Sequence, residues 1–401
     1  MEVDLAGEAR GPLAGIRVLD LTTVVSGPLC GQILGDLGAD VVKLEAPGGD
    51  SARVMGMPMK AGISPLFHHC NRNKQSVQID LKTDAGAAVA RRLVAASDVL
   101  IENFRPGVAE RLGLGYDRVA AENPRLIYVA INGFGPDGPR RDEPAYDTVI
   151  QGLTGFMPEQ GGEGEPRLIQ SIAADKVTAL TAAYATVAAL FARERGAAAG
   201  QRIDVPMLDA YAAFLMPDTM AGRTVPSEPP MPSTRIHRTW ATADGHVVMM
   251  IVEDRHFFGL CRALEREDLI DDPRCANLLQ RLIHMETLFA IVAEEIVKWP
   301  TAEFIERASR EGAPVAPVKD VDGFLADPQV VHNGTVFELD NDEELGPMRH
   351  VRSPVRFEHT PASVRRTAPH AGEHTREVLL AAGLDPLEID ALCQAGVVVE
   401  G

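Results

Sequence analysis

RVLDLTTVVSGPLCGQILGDLGADVVKL (Arg17–Leu44) settles the architecture of this chain. Its first five residues form an apolar strand, and Val24-Val25-Ser26-Gly27-Pro28 reads as a turn. Leu29–Leu37 reads as a helix and Asp40–Leu44 as a second strand. Pro28 falls at the first helical position, where its missing N–H removes nothing the helix uses. The segment is one compact β-turn-α-β unit.

Working outward, Ser76–Leu81, Asp98–Glu102 and Arg125–Ile131 are further strands, with helices at Ala85–Ala95 and Arg118–Glu122 between them. Strands alternating with helices of this length predict an α/β fold, with a Rossmann-like, mostly parallel sheet covered on both faces. The large domain is expected to take residues 1–215. A Pro-, Ser- and Thr-rich stretch at 216–239 reads as a linker. A smaller α+β domain follows at 240–317, with a hairpin around Asp244-Gly245 and helices within Trp240–Leu264 and Thr287–Glu311. Residues 318–401 read as a linker and return to the large domain. Short strands are expected at Thr335–Leu339 and Val351–Phe357, and a terminal helix at Glu373–Ala382.

Composition excludes several classes of function. With 401 residues, 45% hydrophobic and 24% charged, the chain has the makeup of an ordinary enzyme. A net charge of −18 leaves no basic surplus for nucleic acid. No apolar run approaches a membrane span. The start, MEVDLAGEARGPLAG, lacks a basic and an apolar region, so no signal peptide is expected. Five scattered cysteines without a CxxC pair fit a reducing, cytoplasmic setting and argue against zinc. The eleven histidines form no HExxH-type pair, and no metal is expected. A dinucleotide site fares poorly as well. Glu45 ends the second strand as a ribose-binding acid does, but Ser26–Gly31 is not G-x-G-x-x-G, and Pro28 removes a phosphate donor.

Asp175 opens a run without Pro or Gly that reaches Arg195. Val177, Leu180, Tyr184, Val187 and Phe191 recur there at three- and four-residue steps, which predicts a buried amphipathic helix. A carboxylate in the first turn meets unpaired N–H groups and the positive end of the helix dipole. By position alone it reads as an N-cap.

Six blocks carry a resemblance: VLDLTTVVSGPLCGQILGDLGADVVKLEAP, NRNKQSVQIDLKTDAG, SDVLIENFRPGVAERLGLGYDRV, NPRLIYVAINGFGPDGP, APVAPVKDVDGFLADPQV and GEHTREVL. Their ordered set, from about Gly11 to Leu380, resembles the family III CoA-transferases, the group that also holds carnitine–CoA transferases and α-methylacyl-CoA racemases. The resemblance implies that Asp175 is the nucleophile, with acyl-CoA and a free carboxylic acid as substrates and no permanent cofactor. It also implies a homodimer of interlocked rings. CoA contacts are implied for Val24 and Val25 of the first loop, for Asn73, Lys74, Asn103 and Phe104, and for Arg111. For Lys74 and Arg111 a solvated surface charge is the competing reading.

Within that family the racemases pair the aspartate with a Gly-His-Asp motif. Here the matching residues are Ala145-Tyr146-Asp147, and a phenol, titrating near ~10, is a poor base at neutral pH. This favours transfer over racemisation, while a second, unrecognised base or a silent acyl-CoA-binding protein remain the alternatives. Asp147 is expected to make a structural hydrogen bond. Oxalate-using relatives carry Gln where Val25 stands, and a glycine run that 216–239 lacks, so dicarboxylic or aliphatic acids are expected instead. His237, in the RIHR run, is a candidate for the acid's carboxylate, with a plain basic loop as the other reading.

Overall fold

The computed structural model describes residues 11–57, 63–162, 164–226, 236–340 and 342–401. The chain divides into two compact units, residues 1–228 with 334–401 and residues 229–333.

The larger unit is built on a seven-stranded sheet: β1 (Arg17–Asp20), β2 (Asp40–Glu45), β3 (Lys74–Ile79), β4 (Val99–Glu102), β5 (Ile127–Asn132), β6 (Gln201–Pro206) and β12 (Val398–Val399). The order is β12-β3-β2-β1-β4-β5-β6, parallel throughout except for β12 against β3. Val18 pairs with Val41 on one side and Val99 on the other. The chain therefore steps outward from β1 to β3 and then returns to β4. Beyond the C-terminal ends of β1 and β4 lies the switch point where open α/β sheets bind ligands.

Both faces are covered, as continuous apolar runs such as VLI in β4 require. One face packs Val18, Val99, Ile101 and Val129 against α1 (Ser26–Asp36), α8 (Ala173–Glu194) and α9 (Met207–Thr219). The other packs Leu19, Val77, Leu100 and Tyr128 under α3 (Asp84–Ala95), α5 (Tyr116–Glu122), α16 (Thr375–Ala381) and α17 (Pro386–Gln394). Shorter helices α2 (Pro65–Asn71), α4 (Val108–Arg111), α6 (Asp147–Leu153) and α7 (Phe156–Gly161) fill the connections. A hairpin of β10 (Val336–Leu339) and β11 (Met348–Val351) precedes the return to β3.

The smaller unit holds the antiparallel sheet β7 (Thr239–Ala241), β8 (His246–Met249) and β9 (Val315–Pro317). Helices α10 (Asp254–Ala263), α11 (Leu278–Ile283), α12 (Met285–Ile296), α13 (Thr301–Arg310), α14 (Val321–Leu325) and α15 (Pro328–Asn333) complete it. The hairpin at Asp244-Gly245 stands where the sequence places it.

Several boundaries move. The expected linker at 216 begins inside α9, which runs to Thr219, and 227–235 lies outside the described residues. The smaller unit extends to residue 333 rather than 317, because α14 and α15 stay with it. The second return strand is Met348–Val351, not Val351–Phe357. The largest revision concerns α8. Leu180, Tyr184 and Phe191 are exposed, whereas Ala174, Thr178, Ala179, Ala182, Ala183, Thr186 and Ala189 are buried. The helix lies close against α1 and the sheet along a seam of mostly small side chains, with Val177 and Val187 partly buried and Leu190 buried nearer its C-terminal end.

Beneath the end of β1 runs a buried chain of charges. Lys74 donates to Asp20 at 2.7 Å, to the Pro28 carbonyl at 2.8 Å and to Asn71 at 2.8 Å. Lys43 donates to the Thr22 carbonyl at 2.8 Å and pairs with Asp50 at 2.9 Å. Arg53 grips Glu45 through two hydrogen bonds of 2.8 and 2.7 Å. All six charged groups are buried. Removing one member of such a pair strands the other. Lys74→Met is therefore expected to destabilise the protein by about 3–5 kcal/mol, and Asp20→Leu added to it to recover much of that loss. Urea unfolding of both variants checks this; a wild-type midpoint for Lys74→Met would show that the pair is dispensable.

Candidate active site

The loop after β1 is positioned by what lies under it. Thr22 donates its hydroxyl and backbone N–H to Asp20, and Gly27 packs so tightly on Thr22 that a Cβ would meet that side chain at 2.3 Å. Between them Val24 adopts φ 71°, a left-handed conformation that a β-branched residue rarely takes. Such strain amounts to about 1–3 kcal/mol and gathers at functional sites. Asp50 accepts the Val24 N–H at 3.3 Å and helps hold the turn. Val25 is buried and precedes α1, whose first residue is Ser26.

A second loop comes from β5. Gly133 lies against Ala145, 2.3 Å from where a Cβ would stand, and only glycine permits that approach. The loop thereby brings Tyr146 and Asp147 to the start of α6. Asp147 is buried and reaches the N-terminus of α8, where its Oδ1 accepts the N–H groups of Ala174 at 2.7 Å and Asp175 at 3.3 Å. Gln151, one turn along, donates to Asp147 Oδ2 at 2.6 Å and to the Ser171 carbonyl at 3.1 Å, and accepts the Ile169 N–H at 3.0 Å.

Asp175 is consequently not the cap. It is the third residue of α8, and the helix's open donors are served by a carboxylate 28 residues away in sequence. Its own side chain is left for other work. Burial, and then the negative charge of Asp147, push its carboxyl up to about 6, while the Ser26 hydroxyl and N–H pull the other way.

The other sequence candidates divide. Asn103 exchanges hydrogen bonds with the Thr23 backbone at 3.0 and 2.8 Å, fastening the ends of β4 and β1 together at the switch point. Phe104 follows it, half-buried, its N–H on Glu102 at 2.8 Å. Arg111 ends α4 and is exposed. Asn73 and Lys74 need correction. Lys74 is fully buried with all three donors occupied, so it is neither a solvated charge nor a free phosphate ligand. Asn73, at φ 61°, donates to Asp36 and the Ser363 carbonyl and accepts the Arg365 N–H, which locks the returning C-terminal segment in place. Both residues support the site from beneath. Tyr146 is 64% exposed, and His237 is exposed in the smaller unit just before β7. Ser26 and Gln151 were not singled out from sequence; the Asp147–Gln151 spacing of four on one helix was the available signal. Among the described residues no cluster of His, Cys, Asp and Glu is suited to a metal ion, and no helix is long and apolar enough to cross a membrane.

A carboxylate on α8, bonded at the start of α1, is the marked feature of this doubly covered parallel sheet. The comparisons with known proteins make that specific. The family model described as CoA-transferase family III matches residues 13–375, and the chain belongs to that family. It is 35% identical to the succinate–glutarate CoA-transferase of Agrobacterium fabrum, over 92% of this chain and 95% of that protein. It is 31% identical to the human succinyl-CoA:glutarate CoA-transferase, over 96% and 90% of the two chains. A crystal structure of a CAIB/BAIF family protein from Brucella suis superposes with a TM-score of 0.81 at 32% identity, covering 93% of this chain and all of that one.

Two outcomes are expected. Asp147→Asn keeps an acceptor for the α8 N–H groups but removes the charge, so the Asp175 carboxyl should titrate at lower pH than in the wild type. Carbon-13 NMR of labelled aspartate reads this directly, and an unmoved midpoint would discard Asp147 as a cause. Next, folded Asp175 keeps its proton to about pH 6, whereas an unperturbed carboxyl releases it near 3.8. Its ionisation therefore opposes folding as pH rises between those values. Asp175→Asn should be more stable than wild type at pH 7 by roughly 1–3 kcal/mol, with no gain at pH 3, as measured by urea unfolding.

Proposed function

We propose that this protein moves CoA from an acyl-CoA thioester to a free carboxylic acid, with Asp175 as the nucleophile. The observation that carries the reading is the Asp175 carboxylate in the first turn of α8, freed from capping by Asp147 and met by Ser26. An Asp175 oxygen attacks the thioester carbonyl, and collapse of the tetrahedral oxyanion expels CoA thiolate and leaves an aspartyl mixed anhydride. The thiolate attacks the aspartyl carbonyl, breaking the C–O bond and releasing the donor acid as carboxylate. The acceptor carboxylate then attacks the enzyme–CoA thioester, and the returning thiolate takes the acceptor's acyl group, restoring Asp175. No proton is gained or lost overall, and thioester energy is conserved in covalent form.

A carboxyl raised to about 6 suits this chemistry. It is mostly ionised at pH 7, yet more basic than an ordinary aspartate. The Ser26 N–H at the start of α1 and the N-terminal field of α8 face charge that develops at Asp175. Val24, Val25, Asn103 and Phe104 would line the CoA crevice, and exposed Arg111 would meet a phosphate. The names of the relatives support dicarboxylic acids such as succinate and glutarate as donor and acceptor. Tyr146, one residue before Asp147, is a candidate for the substrate pocket, and His237 stays a candidate for the acid's carboxylate. A homodimer belongs to the same reading: Leu180, Tyr184 and Phe191 form an exposed apolar line along α8 that a second copy would cover. The five unpaired cysteines accord with a reducing, cytoplasmic setting.

Incubation with succinyl-CoA followed by hydroxylamine or borohydride is expected to leave a mass change on the Asp175 peptide. Asp175→Ala should lose that adduct and lower glutarate-dependent exchange by about 10³-fold or more. Absence of an adduct, together with α-deuterium uptake from heavy water, would move the protein to the racemase branch. CoA binding with neither would leave a silent binder.

A further inference from the structure

Residues 164–172 lead into α8 without helix or strand. Ile172, the last of them, offers the helix no capping side chain. Much of what holds this stretch comes from α6 and α7. The Met157 carbonyl accepts the Arg167 N–H at 3.0 Å, and the Gln160 amide donates to the Leu168 carbonyl at 3.0 Å. Gln151 of α6 is 2% exposed and pairs with the backbone in both polarities. Its Oε1 accepts the Ile169 N–H at 3.0 Å, and its Nε2 donates to the carbonyls of Ile169 at 3.3 Å and Ser171 at 3.1 Å. The same nitrogen donates to Asp147 Oδ2 at 2.6 Å, while Asp147 Oδ1 holds the N–H groups of Ala174 and Asp175.

One side chain thus joins the segment that enters α8 to the carboxylate that caps it. The residue type follows from the two demands. A carboxylate at 151 would accept from Ile169 but repel Asp147, and a methionine of similar length would serve neither. Among side chains of this length, an amide donates and accepts at once at neutral pH.

We propose that Gln151 is a positioning residue for Asp175: through Asp147 and the 169–171 backbone it sets where the first turn of α8 presents the nucleophile. Being buried, it acts without touching substrate. The inference rests on the transfer reading, and its loss should appear in kcat rather than in the KM for acyl-CoA.

The test is succinyl-CoA/glutarate exchange by full-length variants between about pH 6 and 8.5, each checked for folding by circular dichroism. Gln151→Met should lower kcat about 10- to 100-fold and change the succinyl-CoA KM less than about threefold. Gln151→Glu should behave differently. Near pH 6 the introduced carboxyl keeps a proton, because two carboxyls in contact do not both ionise, and donates it to Asp147 as the amide does. As that proton is lost towards about pH 8.5, kcat relative to wild type should fall about tenfold. A role in packing alone produces no such dependence. Gln151→Met with kcat within about twofold of wild type, or a Gln151→Glu to wild-type ratio that is level with pH, overturns the role. If Gln151→Met does not fold, the Gln151→Glu ratio decides. Absence of exchange in the wild type would sink the transfer reading instead, and amide hydrogen exchange then decides the positioning. Faster exchange of the Ala174 and Asp175 N–H groups in Gln151→Glu at about pH 8.5 than in wild type supports it, and equal rates overturn it.

Discussion

Six charges with almost no access to water lie beneath the loop after β1, and the geometry of the site rests on them. Lys43, Lys74 and Arg53 face Asp20, Asp50 and Glu45, so cations and carboxylates balance in number. Burying each ion unpaired would cost several kcal/mol, and the arrangement is tolerable because nearly every donor meets an oxygen. Burial and pairing act against each other on both lysines. Pairing prevails at Lys43, whose ammonium is held by Asp20 and Asp50, while desolvation prevails at Lys74. Little net stability need come from such a network. What it supplies is definition: β1, β2, β3, the 50–53 turn and the Thr22–Val24 backbone have one mutual placement in which all the charges are answered. Val24 can hold a left-handed φ because Asp50 and Lys43 grip the backbone around it.

From that fixed loop the site is built sideways. Ser26 begins α1, α1 packs along α8, and the seam is narrow because α8 presents alanines and threonines to it. The Ser26 N–H and the Asp175 carboxyl thus approach one another through two helices whose separation is set by small side chains. Asp147 acts from the opposite direction, by occupying the donors of α8. Two aspartates at one helix end have different environments, and their tasks separate accordingly. One satisfies backbone; the other is desolvated and repelled by its neighbour.

Much of the architecture is legible in the sequence because its signals are local. The first unit, from Arg17 to Leu44, announces strand, turn, helix and strand within 28 residues. What stays hidden depends on distance or on packing. Asn73 bonds with residues 363 and 365, and no local pattern forecasts a partner some 290 positions away. Lys74 reads as a surface charge until three acceptors converge on it. The α8 periodicity is real, and Val177 and Val187 pack against the core, but the other three of its five positions lie off the packed face. Hydrophobic size points to Leu180, Tyr184 and Phe191, whereas closeness to α1 selects alanine and threonine. Nothing local separates Asp175 from an ordinary cap; the difference lies in Asp147, 28 residues upstream, which takes that role.

That distinction bears on which reaction of the family the geometry favours. Exchange of an α-proton between two faces needs two bases opposed across a substrate. At the place where the racemases carry histidine, this chain carries Tyr146, exposed to solvent and serving with its backbone at the start of α6. The adjacent carboxylate, Asp147, already accepts two N–H groups of α8 and one from Gln151. To act as a base it would have to abandon the donors of a 22-residue helix. One carboxylate is what remains, raised in basicity and met by the Ser26 hydroxyl and N–H at the start of α1. The proposed transfer needs only one such group, which attacks, carries CoA and is released again, and Asp147 keeps that group from being spent as the helix cap.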